Sequence, residues 1–159
     1  MSEQKQNTAT LCGEPGDGRF DALLLQNQLC FPLYAVSKEV VRLYKPFLDE
    51  IGLTYTQYIA MMVLWEKRSL TVKELGEYLY LDSGTLTPLL KKMEAQGIVS
   101  RQRNTADERS VIVSVTEAGE ALRVRAATIP ERIGACLPLT KDEAETLYQL
   151  LYKVLHAID

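Results

Sequence analysis

The side chains with the most chemistry to offer fall into two groups. Between Ser83 and Arg109 stand the hydroxyls of Ser83, Thr85 and Thr87, the amines of Lys91 and Lys92, and the guanidinium groups of Arg101, Arg103 and Arg109, with the carboxylate of Asp107 among them. These are the groups that meet base edges and phosphates in nucleic acids. The second group centres on a thiol, Cys30, set between Leu29 and Phe31 in an apolar-periodic segment that also carries Tyr34 and Tyr44. With Cys12 and Cys136 the chain has three cysteines, too few and too far apart for a disulfide scaffold, and no pair has close metal-ligand spacing. They matter, if at all, as thiols. On the residues alone Cys30 is either a reactive sulfur or an inert one packed on a helix, and Cys12 is an incidental exposed thiol. His156 is the only histidine and lies near the C-terminus, against a histidine-based hydrolase or a multi-histidine metal centre. No metal and no cofactor is expected.

Composition limits what must hold these groups. A chain of 159 residues with 47% hydrophobic content fills one core of ordinary size. The formal charge of -3 supplies no bulk attraction for a polyanion, so a nucleic-acid surface must come from uneven distribution. Lys91 to Arg109 holds five basic residues (Lys91, Lys92, Arg101, Arg103, Arg109) against three acidic ones (Glu94, Asp107, Glu108), a local surplus that a dimer doubles. No apolar run approaches the roughly 20 residues of a membrane helix, and the start Met1-Ser2-Glu3-Gln4-Lys5 lacks a secretory hydrophobic segment. A cytoplasmic protein without membrane partners is expected.

The elements follow from periodicity and punctuation. Residues 1 to 20 are polar, with Gly13, Pro15, Gly16 and Gly18, and read as a flexible arm. From Ala22 to about Glu50, Leu25, Leu29, Leu33, Val36, Val40, Leu43, Phe47 and Ile51 recur at helical spacing, giving one long amphipathic helix. Pro32 either sits in its first turns, if the start is later than Ala22, or kinks it. Gly52 ends this helix. Thr54 with Gln57 resembles a capping box opening a helix to about Lys67, with Tyr55 in its first turn, and Thr71 with Glu74 opens a short one through about Tyr78.

Leu81-Asp82-Ser83-Gly84 supplies a turn and the next cap, and Leu86, Leu90 and Met93 form the apolar stripe of a helix that Gly97 terminates. Thr85, Thr87, Lys91 and Lys92 lie largely elsewhere on its surface. Pro88 predicts a local distortion, through its missing bond to Gly84. Ile98 to Arg103 and Ser110 to Val115 read as two strands around the tip Asn104 to Arg109, where Asp107 and Arg109 can pair. Thr116 caps a helix from Glu117 to about Arg132, perturbed at Pro130, and Thr140 with Glu143 opens the last one. That helix carries Ala144, Leu147, Leu151, Val154, Leu155 and Ile158 at heptad-like spacing, so both ends of the chain offer an apolar stripe for dimerisation, the alternative being packing within one chain.

Two short helices followed by a charged hairpin form a winged helix-turn-helix pattern. A helix enters the major groove, while Arg101, Arg103 and Arg109 surround a loop able to reach backbone or minor groove. A two-fold dimer then requires a roughly palindromic duplex.

The blocks Asn27-Gln28-Leu29-Cys30-Phe31, Tyr44-Lys45-Pro46, Leu53-Thr54-Tyr55, Leu79 through Lys92 and Asp107-Glu108-Arg109-Ser110 resemble those of the MarR family of winged-helix regulators, and within it the organic-hydroperoxide-sensing OhrR subgroup. The resemblance implies a mainly α (α+β) fold. It comprises one domain over 21–159, with a winged helix-turn-helix over 53–115 and dimerisation helices over 21–52 and 116–159. It makes Cys30 the peroxidatic cysteine, Tyr44 and Tyr55 the phenols that hydrogen-bond its thiolate across the dimer, and Tyr34 an aromatic whose packing responds to oxidation. Ser83 to Gln96 becomes the recognition helix and Arg109 the wing arginine in the minor groove, braced by Asp107. Pro88 belongs to the family motif, so its distortion does not count against the helix. Cys136 is similar in position to a resolving cysteine, which implies a Cys30–Cys136 disulfide between subunits; the alternative is a mixed disulfide of Cys30 with a small cellular thiol.

The function implied is a homodimeric, DNA-binding repressor that leaves a pseudo-palindromic operator when an organic hydroperoxide oxidises Cys30. Apolar Leu29, Phe31 and Leu33 favour organic hydroperoxides over hydrogen peroxide. Its competitors are a regulator of the same fold released by a phenolic or apolar ligand, a thiol peroxidase, for which no catalytic histidine or acidic relay is evident, and an interaction module without DNA affinity.

Overall fold

The structure, a computed structural model, describes residues 20–105, 107 and 109–158. The expected arm over 1 to 20, with Cys12, lies outside the described residues but for Phe20, as do Ala106 and Glu108 of the hairpin tip. Contacts gather the chain into two units, 1–42 and 43–159.

In the first unit the helix starts later than Ala22, which is the expectation that put Pro32 in its first turns. Two short 3-10 turns, Asp21–Leu23 and Leu25–Asn27, precede α1, which spans Cys30–Asp49. The Asn27 side-chain amide donates to the Asp21 carbonyl at 2.9 Å, and that of Gln28 to the Ala22 carbonyl, holding the turns. Proline supplies the reason for the late start. A helix running through from Ala22 would drive the Pro32 ring against the Gln28 carbonyl, whereas a start at Cys30 puts Pro32 third, where no intrahelical N–H is lost. Phe20, Leu23, Leu25, Leu29, Phe31 and Tyr34 are all exposed.

The second unit holds the core. After the last turn of α1, Gly52 adopts φ 71°, and the chain reverses with the Leu53 N–H donating to the Leu48 carbonyl at 3.1 Å. The capping box on Thr54 and Gln57 forms as expected and opens α2, Tyr55–Lys67. This helix is apolar on most sides and is correspondingly central: Tyr58, Ala60, Met61, Leu64 and Trp65 are buried. Thr71 and Glu74 form the box that opens α3, Val72–Leu79, and Tyr80 ends it in the left-handed conformation at φ 53°. Asp82 caps α4, Ser83–Ala95, which runs unbroken through Pro88. Leu86, Leu90 and Met93 are wholly buried, each contributing about 1.5–3 kcal/mol of burial free energy.

The expected hairpin is present as β2, Val99–Arg103, and β3, Val111–Val115. A third strand, β1 (Ser69–Thr71), was not anticipated; it pairs antiparallel with the other edge of β3, giving the order β1-β3-β2. Three residues are too short for any periodic signal, and only the pairing of Leu70 with Val113, 43 positions away, makes them a strand.

The single helix expected from Glu117 to Arg132 is corrected. It is two helices, α5 (Glu117–Ala126) and α6 (Ile129–Gly134), with Pro130 in the first turn of the second, where it costs no hydrogen bond. The last, α7 (Lys141–Ile158), begins at the expected Thr140–Glu143 box. None of its residues is buried, and Leu147, Leu151, Val154 and Ile158 are exposed.

Candidate nucleic-acid interface and thiol site

The interface is built on the cap of α4. The Asp82 carboxylate accepts the Thr85 N–H at 3.0 Å and the Thr85 hydroxyl at 2.8 Å, using both oxygens. These bonds hold its carboxyl below the usual carboxylate range, the Thr85 hydroxyl contributing most. One turn on, the Thr87 hydroxyl donates to the Ser83 carbonyl at 2.7 Å. Ser83, Thr85, Thr87, Lys91 and Lys92 are all exposed, outside the buried stripe. Gly76 lets α3 approach the turn closely: a Cβ there would stand 2.6 Å from the Leu81 carbonyl oxygen.

The wing completes a concave face. A groove of about 920 Å³ is lined by Lys73, Tyr80, Ser83, Thr87, Asp107 and Arg109, with Arg101 on its wall. Thus the fold brings Ser83, Thr87, Arg101, Asp107 and Arg109 around one cavity; Thr85, Lys91, Lys92 and Arg103 lie outside its lining. Asp107 was expected to pair with the Arg109 side chain, and this is corrected. Its carboxylate instead accepts the Arg109 backbone N–H at 3.1 Å, a turn-type bond that shapes the tip and leaves the guanidinium exposed. Arg101 reaches the Glu94 carboxylate at 3.5 Å, with only 19% of its side chain exposed, so its charge is partly answered within the protein. Arg103 is exposed at the end of β2.

The thiol residues divide between the units. In 1–42, Cys30 is exposed as the first residue of α1, and Tyr34 is exposed one turn later. In 43–159, Tyr44 and Tyr55 stand edge to face with ring centroids 5.0 Å apart, and Tyr58 lies 5.9 Å from Tyr44. Burial pushes all three phenols above their ordinary value, and mutual repulsion of the would-be anions adds to this for Tyr44 and Tyr58. At neutral pH they are therefore O–H donors. Cys136 is exposed, and its Sγ donates to the Arg132 carbonyl at 3.3 Å.

Sequence reasoning passed over three participants. Tyr58 shares the aromatic cluster, and its place on α2 one turn after Tyr55 was a readable signal. Glu50 and Arg132 form a two-pronged ion pair beside Cys136, and nothing in their spacing could have shown it.

Comparison with known proteins agrees with this architecture. A family model described as transcriptional regulator SarA/Rot matches residues 42–123. The chain is 51% identical to the organic hydroperoxide resistance transcriptional regulator of Bacillus subtilis (strain 168), over 89% of this chain and 97% of that protein. Among solved structures it is similar to AbfR of Staphylococcus epidermidis. The reduced, DNA-bound form has a TM-score of 0.72 at 34% identity, covering 86% of this chain and 96% of that one. A disulfide-formed state of AbfR has a TM-score of 0.62 at 34% identity, covering 90% and 98%. A cysteine-to-serine mutant of MarR from E. coli, complexed with operator DNA, has a TM-score of 0.73 at 27% identity, covering 86% and 98%. With its capped helix pair, three-stranded wing and flanking helices, the chain belongs to the MarR family of winged-helix transcriptional regulators, on the branch of the organic hydroperoxide resistance regulators.

Proposed function

We propose that this chain is a homodimeric repressor that binds a pseudo-palindromic operator and releases it when an organic hydroperoxide oxidises Cys30. One observation carries the reading: the sulfur is exposed at the first residue of α1, in a chain 51% identical over most of its length to a regulator named for organic hydroperoxide resistance. Exposed apolar side chains at both ends, Leu25 and Leu29 near α1 and Leu147, Leu151 and Val154 on α7, support a second copy as their cover. No helix among the described residues is long and apolar enough to cross a membrane, in keeping with a cytoplasmic regulator.

The chemistry is a two-electron displacement. The Cys30 thiolate attacks the distal peroxide oxygen, the O–O bond breaks, and the leaving alkoxide takes a proton to become an alcohol, leaving a sulfenic acid. Tyr44 and Tyr55, kept protonated by burial, donate to that thiolate across the dimer, and Tyr34 repacks afterwards. The Cys136 thiol then attacks the sulfenic sulfur and water leaves, closing a disulfide between subunits; a small cellular thiol in its place gives a mixed disulfide. Either product favours a dimer whose recognition helices and wings no longer match two half-sites. AbfR, solved in reduced, DNA-bound form and in disulfide form, is a precedent for both states in a related fold.

The test joins intact mass to operator binding by fluorescence anisotropy at fixed salt. Cys30→Ser binds as the parent does and stays bound after stoichiometric organic hydroperoxide; release of this variant would refute the mechanism. On non-reducing gels Cys136→Ser gives no crosslinked dimer, and its persistence would remove Cys136 from the pair. A cavity of about 280 Å³ lined by Tyr58, Met62, Trp65, Ala126 and Pro130 favours a second reading, release by a non-covalent apolar or phenolic ligand. Release with every sulfur unmodified would decide for it.

A further inference from the structure

The two threonines of α4 have no hydrogen to give a base. The Thr85 hydroxyl donates to Asp82 Oδ2 at 2.8 Å and that of Thr87 to the Ser83 carbonyl oxygen at 2.7 Å. The direction of both bonds is fixed by chemistry, since an ionised carboxylate and a carbonyl only accept. Asp82 is held in the ionised form by the hydrogen bonds from the Thr85 hydroxyl and N–H, so it stays an acceptor throughout the neutral range. Each hydroxyl thus keeps lone pairs and no free proton.

Their position gives this constraint a consequence. With Leu86, Leu90 and Met93 turned into the core, helical periodicity puts Gly84, Pro88 and Lys91 on the outward ridge and Thr85 and Thr87 on its two flanks. Both are exposed, and Thr87 also lines the groove toward the wing. In the major groove guanine offers N7 and O6 as acceptors and thymine offers O4, while amine donors come only from adenine N6 and cytosine N4. Phosphate oxygens accept only.

We infer that Thr85 and Thr87 read the operator solely as hydrogen-bond acceptors, so that each faces an adenine or cytosine exocyclic amine, with Asp82 the positioning residue that fixes this polarity for Thr85. The inference rests on the DNA-binding reading and adds its base class. It assigns phosphate contacts to groups other than these two hydroxyls. To turn donor, Thr85 must first break a charge-assisted bond, a class about twice as strong as neutral ones.

The experiment uses the reduced full-length dimer and a duplex it selects from a randomised library. At each half-site position adenine is replaced by purine, or cytosine by 2-pyrimidinone, which removes the major-groove amine; in parallel, 7-deazapurines remove the N7 acceptor. Amine removal at one position per threonine weakens parent binding roughly three- to tenfold. Thr85→Val or Thr87→Val cancels that sensitivity at its own position, leaves the response to 7-deazapurines unchanged and does not alter the salt slope. Thr→Ser retains the parent pattern. Asp82→Asn, whose amide can donate to Thr85 Oγ1 and free the hydroxyl proton, gains tolerance for guanine or thymine at the Thr85 position. Indifference of the parent to every amine removal overturns the inference, as does a Val variant that loses its 7-deazapurine response. If the parent selects no duplex and shows no salt-dependent binding, the DNA-binding reading itself fails and takes this one with it.

Discussion

Both terminal nitrogens of Arg132 reach the Glu50 carboxylate, at 3.1 Å each, across 82 positions of sequence. The same guanidinium lies 4.1 Å from the centre of the Phe47 ring, and the Arg132 carbonyl accepts a hydrogen bond from the Cys136 thiol at 3.3 Å. One residue thus ties the end of α1 to α6 and to the sulfur proposed as the resolving thiol. This coupling makes the pair a natural place to measure how the two ends of the second unit hold together.

The pair has a pH signature. Arg132 holds the Glu50 carboxyl below its ordinary value of 4.5, chiefly through the hydrogen bonds. A depressed folded value contributes stability that is present above the unfolded value and is lost as pH falls through the folded one. Urea titration therefore shows the parent modestly more stable than Glu50→Gln at pH 7, with the gap closing in acid below pH 4.5. A gap that persists in strong acid would mean the pair contributes nothing through charge.

The aromatic cluster responds at the opposite end. Burial raises Tyr44, Tyr55 and Tyr58 above the ordinary phenol value of 10.0. A raised folded value contributes stability that is full below the unfolded value and is lost as pH rises through the folded one. Thermal unfolding followed by tyrosinate absorbance should show stability falling above pH 10.0, and Tyr58→Phe should flatten that fall. A profile unchanged by the substitution would place the loss elsewhere.

Two helical glycines carry opposite expectations. A Cβ on Gly119 would stand 2.1 Å from the Ile98 carbonyl oxygen, where α5 crosses the β2 entrance and the Trp65 indole N–H donates to the Gly119 carbonyl at 2.9 Å. Gly119→Ala costs about 1–3 kcal/mol or more by overpacking. At Gly134 a Cβ meets nothing within 4 Å, so Gly134→Ala is neutral or gains about 0.4–1 kcal/mol by restricting the unfolded chain. Equal denaturation midpoints for the two variants would contradict the packing argument.

The wing arginines separate by their partners. Arg109 is exposed at the tip, whereas Arg101 is largely covered and reaches Glu94. On the proposed DNA reading, Arg109→Ala weakens operator binding about tenfold and lowers the salt slope by about one ion, while Arg101→Gln changes affinity less than about twofold. The reverse ranking in anisotropy titrations would move the DNA contact from the tip to the strand.

Local chemistry was legible in the sequence wherever a few neighbouring residues decide the outcome. The capping pairs Thr54–Gln57, Thr71–Glu74 and Thr140–Glu143, the stop at Gly52 and the stripe Leu86, Leu90 and Met93 each act within a turn or two of backbone, and each stands where the spacing placed it. The family blocks identified the winged helix-turn-helix for the same reason, being contiguous. Prolines were harder: Pro32 stayed open between a first turn and a kink and Pro130 read as perturbing a longer helix, whereas both stand in first turns, of helices that start at Cys30 and Ile129, because a first turn tolerates the missing N–H that an interior does not. Tertiary structure alone decided what depends on distant chain. Strand β1 exists only because β3 lies beside it, Glu50 meets Arg132 only because α1 and α6 are brought together, and Arg101 is paired only because Glu94 faces it from α4. Periodicity specifies which face of an element turns inward; which partner meets that face is a matter of packing, whose free energy is collected only once the whole core has closed.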